Sequence, residues 1–258
     1  MTTPPDSPAP IAPEPDPWAG LRAFTAARIA LGRTGTSVPL REALAFRLAH
    51  AHARDAVYST LNTEQLLTDL HALDLPVCQV RSQAQNRQDY LQRPDWGRQL
   101  DEQSKIRLAE QAAGECDIAL ILADGLSATA LNDHGLPLLH LLLPQLQQAG
   151  FRLGPITLAE QARVALGDEI GHLLRAKLTL LLIGERPGLS SPNSLGAYFT
   201  YAPRPGLTDE ARNCVSNIRP EGLTYPMAAT KLFFLVQEAL RRQLSGVGLK
   251  DQSDLLLT

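Results

Sequence analysis

The sequence predicts an α/β protein with a Rossmann-like parallel sheet core, a helical N-terminal region and a disordered Pro-rich N-terminal arm. Three observations lead to this prediction. Apolar segments alternate with helix-forming segments in the second half of the chain, the preceding region has a polar, helical pattern, and seven of the nineteen prolines lie within the first seventeen residues. We therefore divide the chain into a flexible arm (1–17), a helical region (18–111) and an α/β domain (112–258).

Composition limits the possible partners. The 258 residues are 44% apolar, and 24 basic side chains nearly balance 27 acidic ones. This balance lacks the basic surface expected of a nucleic-acid-binding protein. The longest apolar runs, 118–123 and 178–183, are shorter than the roughly 20 residues that cross a bilayer, and no secretory signal opens the chain. We expect a cytoplasmic protein with neither a nucleic-acid nor a membrane partner.

The first two regions differ in apolar content. The arm has too little apolar bulk to offset the entropy of ordering, so it is either a solvated tail or an addressing or docking peptide. In the helical region, Pro39 is suited to begin a helix, and Leu40, Leu44 and Leu48 follow at helical spacing. We expect that helix to end at Asp55.

The α/β domain is predicted to hold three parallel strands joined by helices. The first strand covers 117–123, and two helices follow it, one at 127–131 and one that has Pro137 near its first turn and ends at Gln148.

The second strand lies within 156–166, and Gly167-Asp168 is predicted to cap a helix over 169–176. The third strand covers 178–183. A long irregular segment comes after Gly188 and includes a short strand at 198–201, and a closing amphipathic helix covers 225–244.

A ligand site is expected where the three strands end. Ligands of open α/β sheets bind outside the carboxyl ends of the strands, which here are 124–127, 164–168 and 184–188. The dinucleotide, P-loop and nucleophile-elbow motifs are missing. The histidines and the three cysteines show no metal-binding spacing, so no metal site is predicted.

Two segments carry a family resemblance. They are Gly184-Glu-Arg-Pro-Gly-Leu-Ser-Ser-Pro-Asn-Ser-Leu-Gly-Ala-Tyr198 and Arg212-Asn-Cys-Val-Ser-Asn-Ile-Arg-Pro-Glu-Gly222. Both resemble signature segments of the ethanolamine ammonia-lyase small subunit, and the resemblance extends over residues 18–251. Its implied function is an adenosylcobalamin-dependent lyase that converts ethanolamine to acetaldehyde and ammonia. The catalytic residues are then expected on a separate large subunit, in a hetero-oligomer often housed in a bacterial microcompartment.

The resemblance also implies three cofactor-binding residues: Val164, Glu185 and Cys214. Glu185 is suited to accept an amide N–H, Val164 to make apolar contact, and Cys214 to pack as a small soft group. The family's cofactor keeps its own base on cobalt, in agreement with the segment 69–74, which has Asp where a D-x-H-x-x-G cobalt-ligand motif requires Gly.

Other roles remain open for these residues and for the chain. Glu185 is also suited to pair with Arg186 or Arg204, Val164 to lie in the core, and Cys214 to be an inert buried thiol. For the whole chain, one alternative is a stand-alone Rossmann-like hydrolase or transferase that uses Asp124, Ser127 or Cys214. Another is a non-catalytic scaffold that docks partners through its Pro-rich arm.

Overall fold

A computed structural model describes residues 16–112 and 114–251. The predicted arm lies outside the described residues apart from Asp16 and Pro17. The helices are α1 (Leu40–Val57), α2 (Thr63–His71), α3 (Arg87–Gln92), α4 (Glu102–Gln111), α5 (Ala128–Gln148), α6 (Leu166–Leu173) and α7 (Tyr225–Arg242). The strands are β1 (Val77–Arg81), β2 (Cys116–Ala123), β3 (Ile156–Glu160), β4 (Ala176–Gly184), β5 (Leu195–Tyr201) and β6 (Arg212–Ile218).

The six strands form one mixed sheet in the order β1-β3-β2-β4-β5-β6. The first four in this order are parallel, and β5 and β6 pair antiparallel. Ala123 at the end of β2 is in register with Ala159 of β3 and Ile183 of β4, so these three strands end at one edge. The α/β class and the parallel arrangement of the three predicted strands are confirmed. The sheet as a whole is mixed, because the chain returns antiparallel after β4 and adds β5 and β6.

Helices cover both faces of the sheet because successive strand residues point to opposite sides. Ile118, Leu120 and Leu122 pack with α2, α5 and α7, whereas Ala119 and Ile121 pack with α4 and α6. The buried central strands therefore have apolar residues at nearly every position. None of the helices within the described residues is both long and apolar enough to span a membrane.

Two strands were missed in the sequence. The first, β1, lies within the predicted helical region, and β6 lies within the predicted irregular segment. Each occupies one end of the sheet and has only two buried residues, which in the β6 sequence Arg-Asn-Cys-Val-Ser-Asn-Ile are Val215 and Ile218. A short polar edge strand lacks the continuous apolar pattern that identified β2 and β4.

The helices after β2 and β3 also differ from the prediction. Residues 128–148 form one helix, α5, rather than two, although Pro137 and Pro144 lie inside it. Packing of its many leucines on the sheet offsets the hydrogen bonds that proline removes. Likewise, α6 begins at Leu166 rather than after Gly167-Asp168, and its N-cap is Ala165.

The helix predicted after Pro39 is confirmed as α1, which continues two residues beyond Asp55. Its leucines are not buried: the exposed fractions of Leu40, Leu44 and Leu48 are 74%, 53% and 59%. The apolar spacing therefore produces an exposed apolar face. The closing helix is confirmed as α7, which begins at the predicted Tyr225.

A close approach of backbone segments fixes the edge where β2 and β4 end. Gly184 lies against the carbonyl oxygens of Asp124 and Ser127, where a Cβ atom would clash. Gly125 has φ +57° and lies against the Gly184 carbonyl, which accepts a hydrogen bond from Leu126 N–H at 3.0 Å. Glycine at both positions permits this contact, so the turn after β2 and the end of β4 form one compact unit.

Candidate functional site

A cleft of about 190 Å³ lies at this edge of the sheet. All three predicted strand ends line it, through Gly125, Val164 and Glu185. Tyr90, Arg163 and Tyr198 are among its other lining residues. The expectation that these strand ends converge is therefore confirmed.

Glu185 is half-buried, and two hydrogen bonds hold its carboxylate. Ser194 Oγ donates to Oε2 at 2.7 Å, and the main-chain N–H of Asn217 donates to the same oxygen at 3.2 Å. Gly196 lies beside Oε1 and leaves space that a larger residue would fill. Glu185 thus bonds to Ser194 and Asn217 rather than to Arg186 or Arg204, and Oε1 stays free of hydrogen bonds to the described residues.

Val164 precedes α6 and is half-buried. Its side chain packs against the cluster under α4 and α6 and also lines the cleft. The position of Val164 is therefore compatible both with a place in the core and with contact to a cofactor, since one side of the side chain contacts the core and the other lines the cleft.

Cys214 lies on β6 opposite Tyr198 of β5, and Tyr198 lines the cleft. The side chain of Cys214 is exposed. This exposure contradicts the buried position of the alternative, because β6 is an edge strand with one uncovered face.

Sequence reasoning missed a group of side chains on the other wall. The guanidinium carbons of Arg163 and Arg87 lie 4.2 and 4.6 Å from the centre of the buried Tyr90 ring. Tyr90 belongs to α3, which follows the strand β1 that had no apolar signature. The only available signal was the position of Arg163 directly before Val164.

One family model and several relatives match the chain. A model of the ethanolamine ammonia-lyase light chain (EutC) matches residues 15–250. This chain belongs to the ethanolamine ammonia-lyase light-chain family.

Similar relatives support this assignment. The ethanolamine ammonia-lyase small subunit of Azotobacter vinelandii is 55% identical over 244 residues, which cover 93% of this chain and 90% of that protein. The subunit of Pseudomonas aeruginosa (strain LESB58) is 54% identical over 253 residues, covering 97% and 93%. That of Ralstonia nicotianae is 52% identical over 255 residues, covering 98% and 94%. The family resemblance in the signature segments is therefore confirmed.

Two of the three residues invoked for a stand-alone hydrolase, Asp124 and Ser127, have structural partners. Asp124 accepts main-chain N–H bonds from Ala162 and Gln161 at 3.0 and 2.9 Å. Ser127 caps α5 and donates its Oγ proton to the Pro192 carbonyl at 3.1 Å. Both are buried, so neither meets the accessibility that a nucleophile or base requires.

A buried ion pair connects α6 to the strand that carries Cys214. Arg212 at the start of β6 bonds the carboxylate of Asp168 in α6, and both side chains are only 3% exposed. Burial raises the pKa of the Asp168 carboxyl. Breaking such a pair leaves an uncompensated buried charge, so the ion pair fixes the start of β6 against α6.

The described residues contain no cluster of His, Cys, Asp and Glu suited to a metal ion.

Asp124 provides a prediction about pH. Burial raises its pKa from 3.8 to about 6, although the two main-chain bonds and Arg87 favour the charged form. The folded state therefore holds the Asp124 proton more tightly than the unfolded state does. Protonated Asp124 stabilises the folded state below pH 4, and this contribution to the free energy of unfolding is lost as pH rises through 6. Relative to Asp124→Asn, the free energy of unfolding of the wild type should fall by about 2 to 3 kcal/mol between pH 4 and pH 7.

Urea unfolding at a series of pH values measures this difference. Asp117→Asn is a suitable control, because neighbouring Lys177 and Arg152 lower the pKa of Asp117 to about 2 and place its titration below this range. Parallel stability profiles for the wild type and Asp124→Asn would contradict the prediction.

Proposed function

We propose that this chain is the small subunit of an ethanolamine ammonia-lyase, which converts ethanolamine to acetaldehyde and ammonia. In this proposal it forms one wall of an adenosylcobalamin cleft against a large catalytic subunit. The observation that carries the proposal is the family match over residues 15–250, supported by small subunits at 52–55% identity over nearly their full lengths.

The residues of the cleft fit the chemistry of a cobalamin. The corrin carries amide side chains that need hydrogen-bond acceptors and donors, and a buried amide without a partner costs about 1 to 3 kcal/mol. Glu185 Oε1 is free to accept an amide N–H, and Arg163 Nε is a buried donor without a partner among the described residues. Val164 and Tyr198 add apolar contact, and exposed Cys214 adjoins Tyr198.

The proposed division of labour assigns binding and orientation to this chain. Adenosylcobalamin supplies the radical chemistry when it is bound. Glu185 would hold a cofactor amide from the end of β4, Val164 would contact the ring from the start of α6, and Cys214 would pack from β6. The acid, base and substrate-binding groups are expected on the large subunit.

Exposed apolar residues before and along α1 favour a partner chain. They include Trp18, Phe24 and Leu40, whose exposed fractions are 66%, 87% and 74%. Exposed apolar surface of this kind is typical of protein interfaces. This surface adjoins the cleft, since Ser190, in the loop after Glu185, donates to the Ala26 carbonyl at 3.2 Å. One large subunit is therefore suited to cover both.

We further propose that the core is Rossmann-like, on the basis of its parallel strands and helices on both faces. The enzyme would be cytoplasmic and housed in a microcompartment.

Deleting residues 1–17 should reduce co-sedimentation of the enzyme with isolated compartments if the arm is an address. Unchanged packaging would contradict that role.

The direct test of the function is acetaldehyde release from ethanolamine in the presence of adenosylcobalamin. We expect activity when this chain is mixed with a large subunit and none from either chain alone, because each holds only part of the site. Activity of this chain alone would favour the hydrolase or transferase alternative. A silent mixture of folded proteins would contradict the proposed function.

The proposed role of Glu185 predicts a binding defect. Glu185→Ala in the reconstituted complex should weaken cobalamin binding by roughly 10- to 150-fold, since a hydrogen bond to a charged group contributes about 1.5 to 3 kcal/mol. Absorbance titration measures the affinity. Glu110→Ala, which changes an exposed glutamate of α4, is the control and should bind as the wild type does. An affinity of Glu185→Ala within twofold of the wild type would rule out this contact.

A further inference from the structure

Two arginines form a basic wall on one side of the cleft. Both guanidinium groups lie over the ring of Tyr90, which is buried. Arg87 Nε donates to the Val57 carbonyl at 2.6 Å, and its Nη1 donates to the Gly125 carbonyl at 2.8 Å. Arg163 Nη2 donates to the Tyr90 carbonyl at 2.9 Å. Stacking and main-chain carbonyls thus fix both groups in place.

These contacts leave part of each guanidinium group unsatisfied. Nε of Arg163 and Nη2 of Arg87 are buried donors without a hydrogen-bond partner in the described part of the chain. Buried polar groups in native proteins nearly always have partners, so an orphaned charged donor in a ligand cleft indicates a missing acceptor. Arg163 lines the cleft itself, whereas Arg87 lies behind it against Gly125.

The nearby carboxylates do not neutralise these arginines through a hydrogen bond. Glu185 binds Ser194 and Asn217 through Oε2. Asp124 accepts its two main-chain bonds on the strand side, and its charge attracts Arg87 at longer range. Arg186 adds a second guanidinium to the lining of the cleft, which contains one carboxylate, that of Glu185. The wall is therefore positive and suited to an anion.

We propose that Arg163 binds the phosphodiester of the cobalamin nucleotide tail and that Arg87 is a positioning residue that holds the wall in place. This inference rests on the proposed function. The corrin amides are neutral, so the phosphodiester is the group of a cobalamin that a desolvated guanidinium recognises most strongly. If Arg163 had only a structural role, its contacts with Tyr90 would be sufficient. That role would not explain why its Nε is a buried donor without a partner among the described residues.

The test compares a cobalamin with a cobinamide, which has the same corrin but lacks the nucleotide tail and its phosphodiester. The reconstituted complex of large and small subunits is titrated with hydroxocobalamin and with cobinamide, and binding is followed by absorbance. Arg163→Gln should weaken hydroxocobalamin binding about tenfold or more and leave cobinamide binding within about twofold. Arg163→Lys, which keeps the charge but loses the planar fork, should lie between the two.

Arg93→Gln is the matched control. Arg93 also stacks on an aromatic ring, that of Trp96 at 4.3 Å, but it is exposed and pairs with Asp95. This variant should bind both ligands as the wild type does. Thermal denaturation of each complex reports whether the variant folds. If Arg163→Gln does not fold, Arg163→Lys takes its place in the comparison.

The outcomes separate this inference from the proposed function. Equal weakening of both ligands by Arg163→Gln would overturn the inference in favour of a structural role, and so would an unchanged affinity for hydroxocobalamin. If cobinamide does not bind the wild type, the salt dependence of hydroxocobalamin binding decides, because loss of an ionic contact must flatten it. A wild-type complex that binds no cobalamin would instead contradict the proposed function.

Discussion

The close contact between the turn after β2 and the last residue of β4 is the constraint on which the site depends. Gly184 meets two carbonyl oxygens of that turn, and Gly125 in turn meets the Gly184 carbonyl through a positive φ. A Cβ atom at either position would separate the two strand ends and widen the floor of the cleft. The signature glycine at position 184 therefore has a steric explanation, independent of any direct contact with a ligand.

The antiparallel strands complete what the parallel strands begin. Parallel β2, β3 and β4 bring the strand ends together, but the carboxylate of Glu185 takes its orientation from Ser194, just before β5, and from Asn217 in β6. The Asp168–Arg212 pair holds the start of β6 against α6. A purely parallel sheet would leave Glu185 at a strand end without these supports, so the antiparallel extension of the parallel core orients the carboxylate.

Sequence reasoning succeeded where local pattern and position were sufficient. Continuous apolar runs identified β2 and β4, and the rule that ligands bind at carboxyl ends nominated the segments that contain Val164 and Glu185. The resemblance singled out those residues and Cys214. By contrast, Tyr90 lines the cleft and Arg87 lies behind it only because β1 joins the sheet beside β3. This pairing spans more than 70 residues, and no local pattern indicates it. The exposure of Cys214 could not be predicted from a local pattern either, since it depends on β6 being an edge strand.

Arg87 connects the two surfaces that the proposed function requires. One end of its guanidinium group binds the Val57 carbonyl at the end of α1, and the other binds the Gly125 carbonyl at the cleft. The exposed leucines on α1 are the surface suited to the large subunit. A partner that packs against α1 would therefore also restrict the segment that holds Arg87 and, through Tyr90, Arg163. Under the proposed function, subunit association and cofactor binding are then expected to favour each other, because each orders the same group of side chains.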